Sequence, residues 1–257
     1  MRIIDLSVAV DAAAWEPEPV VHEVMDHAAG AAHMASEMKE FGLEIDPAVL
    51  PGGELLSVDT MTLTTHTGTH VDAPAHYGSS VSYGDGTPRS IDQMPLEWFF
   101  NPGFVLDLTA APEQVADADF LRKELERIDY TPKPNDIALL RTRASEWAGT
   151  PMYFSEFVGL DRSATELLLD FGIKVIGTDA FSVDAPFGDM ISRYNETKDP
   201  SVLWPAHFIG RERELCHVER LANLDQLPPT GFTVACFPFK LTGGSAGWTR
   251  AVALLDD

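Results

Sequence analysis

Eleven consecutive residues constrain this chain more than any other stretch: His66-Thr67-Gly68-Thr69-His70-Val71-Asp72-Ala73-Pro74-Ala75-His76. Three of the eight histidines and one aspartate fall inside it. Gly68, Pro74 and the threonines at Thr60, Thr62, Thr64, Thr65, Thr67 and Thr69 argue against a helix. Glycine and proline break helices, and β-branched side chains lose rotamer freedom in them. On an extended backbone alternate side chains share a face, so His66, His70, Asp72 and His76 are expected on one side. Gly68 lets the chain bend close to whatever they hold, and Pro74 fixes the exit. Imidazole and carboxylate together suit a borderline divalent metal, Zn²⁺ or Mn²⁺. Two or three ligands from one segment leave coordination positions open, which points to catalysis rather than to a structural ion.

The rest of the chain reads as one α/β domain spanning 1–257, a length that can bury one sizeable core. Ile3–Leu6, residues 55–65, Gly103–Leu108, Ile137–Arg141, Ile173–Ile176, Phe232–Phe237 and Thr249–Leu254 read as strands. Leu121, Leu125 and Ile128 mark one helix; Leu167, Leu168 and Phe171 mark another, ended by Gly172. The alternation lacks a clean βαβ rhythm, so a mixed sheet or barrel is expected. Residues 11–53, with Pro17, Pro19, Pro47, Pro51 and Gly52-Gly53, read as an insertion-like cap or interface segment. Within it Met34, Met38 and Phe41 predict an amphipathic helix capped by Gly42, whose apolar face serves either core packing or a substrate wall.

Charge excludes some roles. Eighteen Lys+Arg against forty Asp+Glu give −22, which is repelled by phosphate backbones and anionic lipid, so neither nucleic acid nor membrane is expected as a partner. Such an excess also simply favours solubility. Cys216 and Cys236 are too few for a disulfide scaffold and read as buried thiols of a cytoplasmic, reducing compartment. His207 and Glu219, twelve residues apart, are weak signals by spacing alone: a satisfied buried histidine and a solvated glutamate are the better reading of them.

The window 66–76 nevertheless resembles the His-x-Gly-Thr-His-x-Asp-x-Pro-x-His signature of the metal-dependent cyclase family, which includes bacterial kynurenine formamidase and isatin hydrolase. Ile4-Asp5-Leu6-Ser7, Gly177-Thr178-Asp179 and Asn223-Leu224-Asp225-Gln226-Leu227-Pro228 are similar to further landmarks of it. The resemblance implies a swivelling β/β/α fold in dimers or tetramers. It implies His66 and His70 as first-metal ligands, Asp72 as a bridging carboxylate and His76 as the proton-transfer catalyst. It adds His207 and Glu219 as second-metal ligands, hence one or two ions per chain, and Trp15 as a substrate contact. The stretches His22–Met25, Pro51–Ser57, Ile91–Pro95 and Asp179–Phe187 resemble actinomycete members linked to aromatic polyketide assembly.

Two reactions share these parts. Ring closure of an aromatic polyketide uses the metal to stabilise an enolate, with His76 as base and then acid. Amide or lactam hydrolysis uses the metal to acidify water, with His76 passing the proton to the leaving amine. The Met- and Phe-rich stretches, including Phe181 and Phe187 as substrate contacts, place the polyketide reading first.

Overall fold

The run Ile137-Ala138-Leu139-Leu140 is buried end to end, as an uninterrupted apolar run is when a strand is covered on both faces. In the computed structural model, which describes residues 1–255, it lies near the middle of a mixed sheet. In chain order the strands are β1 (Arg2–Asp5), β2 (Val21–Met25), β3 (Val58–Thr62), β4 (His70–Asp72), β5 (Phe100–Asp107), β6 (Val115–Ala116) and β7 (Ile137–Arg141). They continue with β8 (Gly159–Leu160), β9 (Val175–Thr178), β10 (Cys216–Glu219), β11 (Phe232–Ala235), β12 (Ala246–Trp248) and β13 (Val252–Leu255). The helices are α1 (His27–Glu40), α2 (Pro74–Tyr77), α3 (Ala118–Arg127), α4 (Arg162–Asp170), α5 (Phe187–Thr197) and α6 (Pro205–Phe208).

Nine strands form the main sheet among the described residues, in the order β1-β13-β11-β5-β7-β9-β10-β4-β12. The β5, β7, β9 and β10 strands run parallel, and antiparallel pairings flank them. This is the mixed α/β sheet that the sequence predicts. Alternation splits its side chains between two cores. Ile137, Leu139, Val175, Val218 and Val71 pack on one face with Phe232 and Val234. Ala138, Leu140, Ile176, Phe104 and Leu106 face the other, under Leu121 and Leu125 of α3 and Leu168 of α4. Cys216 and Cys236 are free and buried in the first core. Asp117 and Asp161 cap the two helices by accepting from Phe120 N and Ala164 N, each at 2.8 Å. Among the described residues no helix is long and apolar enough to cross a membrane.

The chain divides into two compact units, Met1–Val10 with the chain from Thr65 on, and Asp11–Thr64. The smaller unit holds the antiparallel pair β2–β3 and helix α1. It runs past residue 53 because β3, the partner of β2, lies at Val58–Thr62. Helix α1 corrects one expectation. Its buried residues are Gly30, Ala31 and Ala35, whereas Phe41 is 87% exposed. Small residues win that face because backbone approaches it closely: a Cβ on Gly30 would lie 2.2 Å from Leu56 O.

Candidate metal centre and pocket

The window 66–76 is not one strand. Residues 65–69 turn, with Gly68 at φ +68°, a conformation that favours glycine. Only His70–Asp72 is extended. Pro74 then opens the short helix α2, where its fixed φ and missing N–H suit the first helical position, and this turn carries His76. The predicted side chains still converge, through a turn, a strand and a helical turn rather than through one extended face.

The neighbouring strand completes the cluster. Antiparallel pairing sets Asp72 opposite His217 and His70 opposite Glu219, so period-two alternation puts all four on one face. Val71 and Val218 take the opposite face, in the first core. Residue His207 arrives from α6. His66 Nδ1 lies 3.2 Å from His70 Nε2 and 3.0 Å from Asp72 Oδ1, and His70 Nε2 lies 3.4 Å from Asp72 Oδ1. Donors bonded to one tetrahedral zinc about 2.0 Å away lie about 3.3 Å apart, so these three atoms already have the spacing of ligands to a single ion. A second set is looser: His207 Nε2 is 3.7 Å from both Asp72 Oδ2 and Glu219 Oε1. Neither Asp72 oxygen has a hydrogen bond of acceptable angle among the described residues, despite the nearby imidazoles. A buried carboxylate left in that state calls for a cation. The residues therefore fit a divalent metal, with Asp72 able to offer one oxygen to each of two positions.

Outer contacts fix which ring nitrogen faces the cluster. His70 Nδ1 is 2.9 Å from Gly68 O, leaving Nε2 inward. His207 Nδ1 is 2.5 Å from Asp184 Oδ2, and Asp184 Oδ1 accepts from Ala206 N at 2.6 Å. A carboxylate–histidine pair of this kind is the usual support of a metal-ligating imidazole. Glu219 Oε1 accepts from Val183 N at 2.9 Å.

The titrations follow the same geometry. Burial disfavours the charged form of His207, but the Asp184 carboxylate outweighs it and holds the pKa well above the usual imidazole range. Burial likewise opposes ionisation of Asp72, yet His70 and the surrounding imidazoles carry it well below the carboxylate range. Burial and then the Asp72 charge raise Glu219. His76 moves down, first by burial and then under the neighbouring imidazoles, with Asp72 opposing. His76 is solvent-exposed at the cavity, and with its pKa lowered from 6.5 to about 4 it stands neutral at pH 7 and open to proton exchange.

A cavity of about 450 Å³ opens on His66, His76, His207 and Glu219. Its walls include Phe154, Phe181, Phe187, Trp204 and Phe208. Phe154 and Phe181 meet edge to face at 4.9 Å, and Phe187 lies 5.7 Å from Trp204. The buried Arg220 stacks over Phe181 at 4.7 Å and donates to His66 O at 3.2 Å, tying one wall to the metal turn. Phe181 and Phe187 thus line one cavity with His66, His76, His207 and Glu219. Trp15 belongs to the smaller unit and is exposed there.

Sequence reasoning missed Asp184, His217, Trp204 and Arg220. His217 was legible in principle, since it sits two residues before Glu219 on the same strand face. Trp204 adopts φ +48°, rare for a bulky residue, and no sequence pattern marks it.

The model of the family described as Putative cyclase matches residues 4–185. The chain belongs to this cyclase family. A kynurenine formamidase of Salinibacter ruber is 29% identical over 204 residues, covering 77% of this chain and 79% of the relative. An isatin hydrolase of Roseibium aggregatum is 28% identical over 223 residues, 79% of this chain and 76% of the relative. Among solved structures, an isatin hydrolase bound to the product analogue thioisatinate superposes with a TM-score of 0.75 at 21% identity, covering 100% of this chain and 93% of that one. Isatin hydrolase A from Ralstonia solanacearum gives 0.74 at 23% identity, covering 99% and 92%. These likenesses establish the fold. The family match, with relatives that are themselves named as enzymes, supports an enzymatic role for the chain.

Proposed function

We propose that this enzyme hydrolyses the C–N bond of a compact aromatic amide, an aryl formamide or an aryl lactam. The observation that carries the reading is the aromatic-walled cavity of about 450 Å³ opening directly on His76 and the His/Asp/Glu cluster. Relatives named for a formamidase and an isatin hydrolase support it. Together they reverse the order of the two reactions suggested by the sequence, where polyketide ring closure stood first.

In this reading His66, His70 and Asp72 would hold a Zn²⁺ or Mn²⁺ ion, and His207 and Glu219, with Asp72, would hold a second. Bound there, such an ion would polarise the amide carbonyl and acidify water. Neutral His76 accepts the proton of the attacking water and delivers it to the departing nitrogen. Phe181, Phe187 and Trp204 bracket the aryl ring and exclude bulk water from the scissile bond. Among the described lining residues there is no Lys or Arg, so the walls offer no counter-ion to a substrate carboxylate. We therefore favour neutral substrates over ones carrying an amino-acid moiety.

The test is a panel: isatin, formanilide, N-formylkynurenine and a linear aromatic polyketone, each with protein loaded with Zn²⁺ or Mn²⁺. The expected result is ring opening of isatin or deformylation of formanilide, with slower attack on N-formylkynurenine. Ring closure of the polyketone without hydrolysis of any amide would overturn the reading.

A further inference from the structure

The histidine left over from this account is His217. It is fully buried, on the cluster's face of β10 and opposite Asp72. Both of its ring nitrogens lack a hydrogen-bond partner among the described residues. The ring lies between Tyr77, at 5.2 Å, and His207, at 4.9 Å and edge on. Tyr77 also accepts from the His217 backbone N at 3.1 Å. Tyr77 can sit there because residue 210 is glycine: a Cβ at that position would lie 2.1 Å from its ring.

An imidazole always carries at least one N–H donor, and burying it unpaired is costly. A packing role alone would be better served by leucine or phenylalanine. One ligand atom from each of Asp72, His207, His217 and Glu219 can be chosen so that all four lie within 4.8 Å of one another. Modest side-chain rotation closes that spread toward the roughly 3.3 Å of donors around one tetrahedral ion.

We propose that His217 is a fourth protein ligand of the second metal position, alongside Asp72, His207 and Glu219. Four protein donors would make that position more closed than the first, so the two ions differ in role. Both positions border the cavity, the first through His66 and the second through His207 and Glu219, so they differ in the number of protein donors rather than in access. The assignment rests on the cluster holding metal, and not on which amide is cleaved.

The experiment is metal titration of apo wild-type protein, His217→Leu and His207→Ala with Zn²⁺, read by equilibrium dialysis with elemental analysis and by the visible spectrum of the Co²⁺ forms. Wild type is expected to take two ions per chain. His217→Leu should keep the ion at His66–His70–Asp72 and lose affinity for the second by more than the roughly 10–100-fold that removal of an outer-shell partner costs, with an altered Co²⁺ spectrum for that ion only. Unchanged second-ion affinity in a folded His217→Leu overturns the assignment while leaving the metal reading intact. A wild-type protein that binds no metal overturns both. Anomalous diffraction from Zn²⁺-loaded wild type decides the matter should the variant not fold: a peak about 2.0–2.1 Å from a His217 nitrogen supports it, and a peak bonded to His207 and Glu219 but not His217 refutes it.

Discussion

Asp184→Asn tests the metal centre without touching a ligand. The substitution is nearly isosteric, so packing is preserved. Asp184 Oδ1 accepts from Ala206 N at 2.6 Å, and Oδ2 faces His207 Nδ1 at 2.5 Å. An amide cannot satisfy both. With its oxygen toward Ala206, its NH₂ meets Nδ1, which must become an acceptor. The proton then moves to Nε2 and blocks the lone pair that faces the cluster. With the amide turned round, NH₂ meets the Ala206 N–H donor to donor. Either arrangement weakens His207 as a ligand. Loss of such support typically lowers metal affinity 10–100-fold, about 1.4–2.7 kcal/mol. The assay is competition between apo protein and a chromophoric chelator for Zn²⁺, with circular dichroism to show that the fold persists. Affinities within about twofold of wild type for every bound ion would refute the argument, because one step in affinity is far less than the tautomer change demands.

Removing the His76 ring should lower turnover by roughly 10²–10⁴-fold; unchanged Zn²⁺ content in His76→Ala would show that the loss concerns proton transfer and not metal. Phe104 is fully buried beneath α3, and Phe104→Ala should cost about 3–5 kcal/mol by urea denaturation. Gly210→Ala puts a methyl group 2.1 Å from Tyr77; overpacking of about 1–3 kcal/mol should appear as a lower urea midpoint, and an unchanged midpoint would contradict the contact. Burial pushes the Asp179 carboxyl up from 3.8 to about 6. A raised acid favours the folded state while protonated, so its contribution is complete below pH 3.8 and is lost as the pH rises to about 6. Relative to wild type, Asp179→Asn should therefore lack that decline when stability is measured by denaturant titration across this range.

The reach of the sequence is clear from particular residues. Ile137–Leu140 announces a strand buried on both faces because a continuous apolar run has no polar face to give to water. The helices at Leu121 and Leu168 follow from their apolar spacing, and the Gly172 stop from glycine's placement just past the last of them, where the backbone takes φ +86°. His66, His70, Asp72 and His76 could be named as a donor set because their chemistry is dense within eleven residues. Their route to one point could not, because Pro74 reads equally as the end of a strand or the start of a helix, and packing chose the helix. Helix α1 shows the same limit: its methionines carried the pattern, but close backbone approach gave the buried face to Gly30, Ala31 and Ala35. Residues 72, 184, 207, 217 and 219 lie up to 147 positions apart. Only the β4–β10 register, the Asp184–His207 contact and the Tyr77 packing bring Asp72, Asp184, His207, His217 and Glu219 to one place. The chain's local chemistry thus determined which side chains could bind metal, whereas strand pairing and burial decided which of them meet, which nitrogen each imidazole turns inward, and which donors are left for an ion.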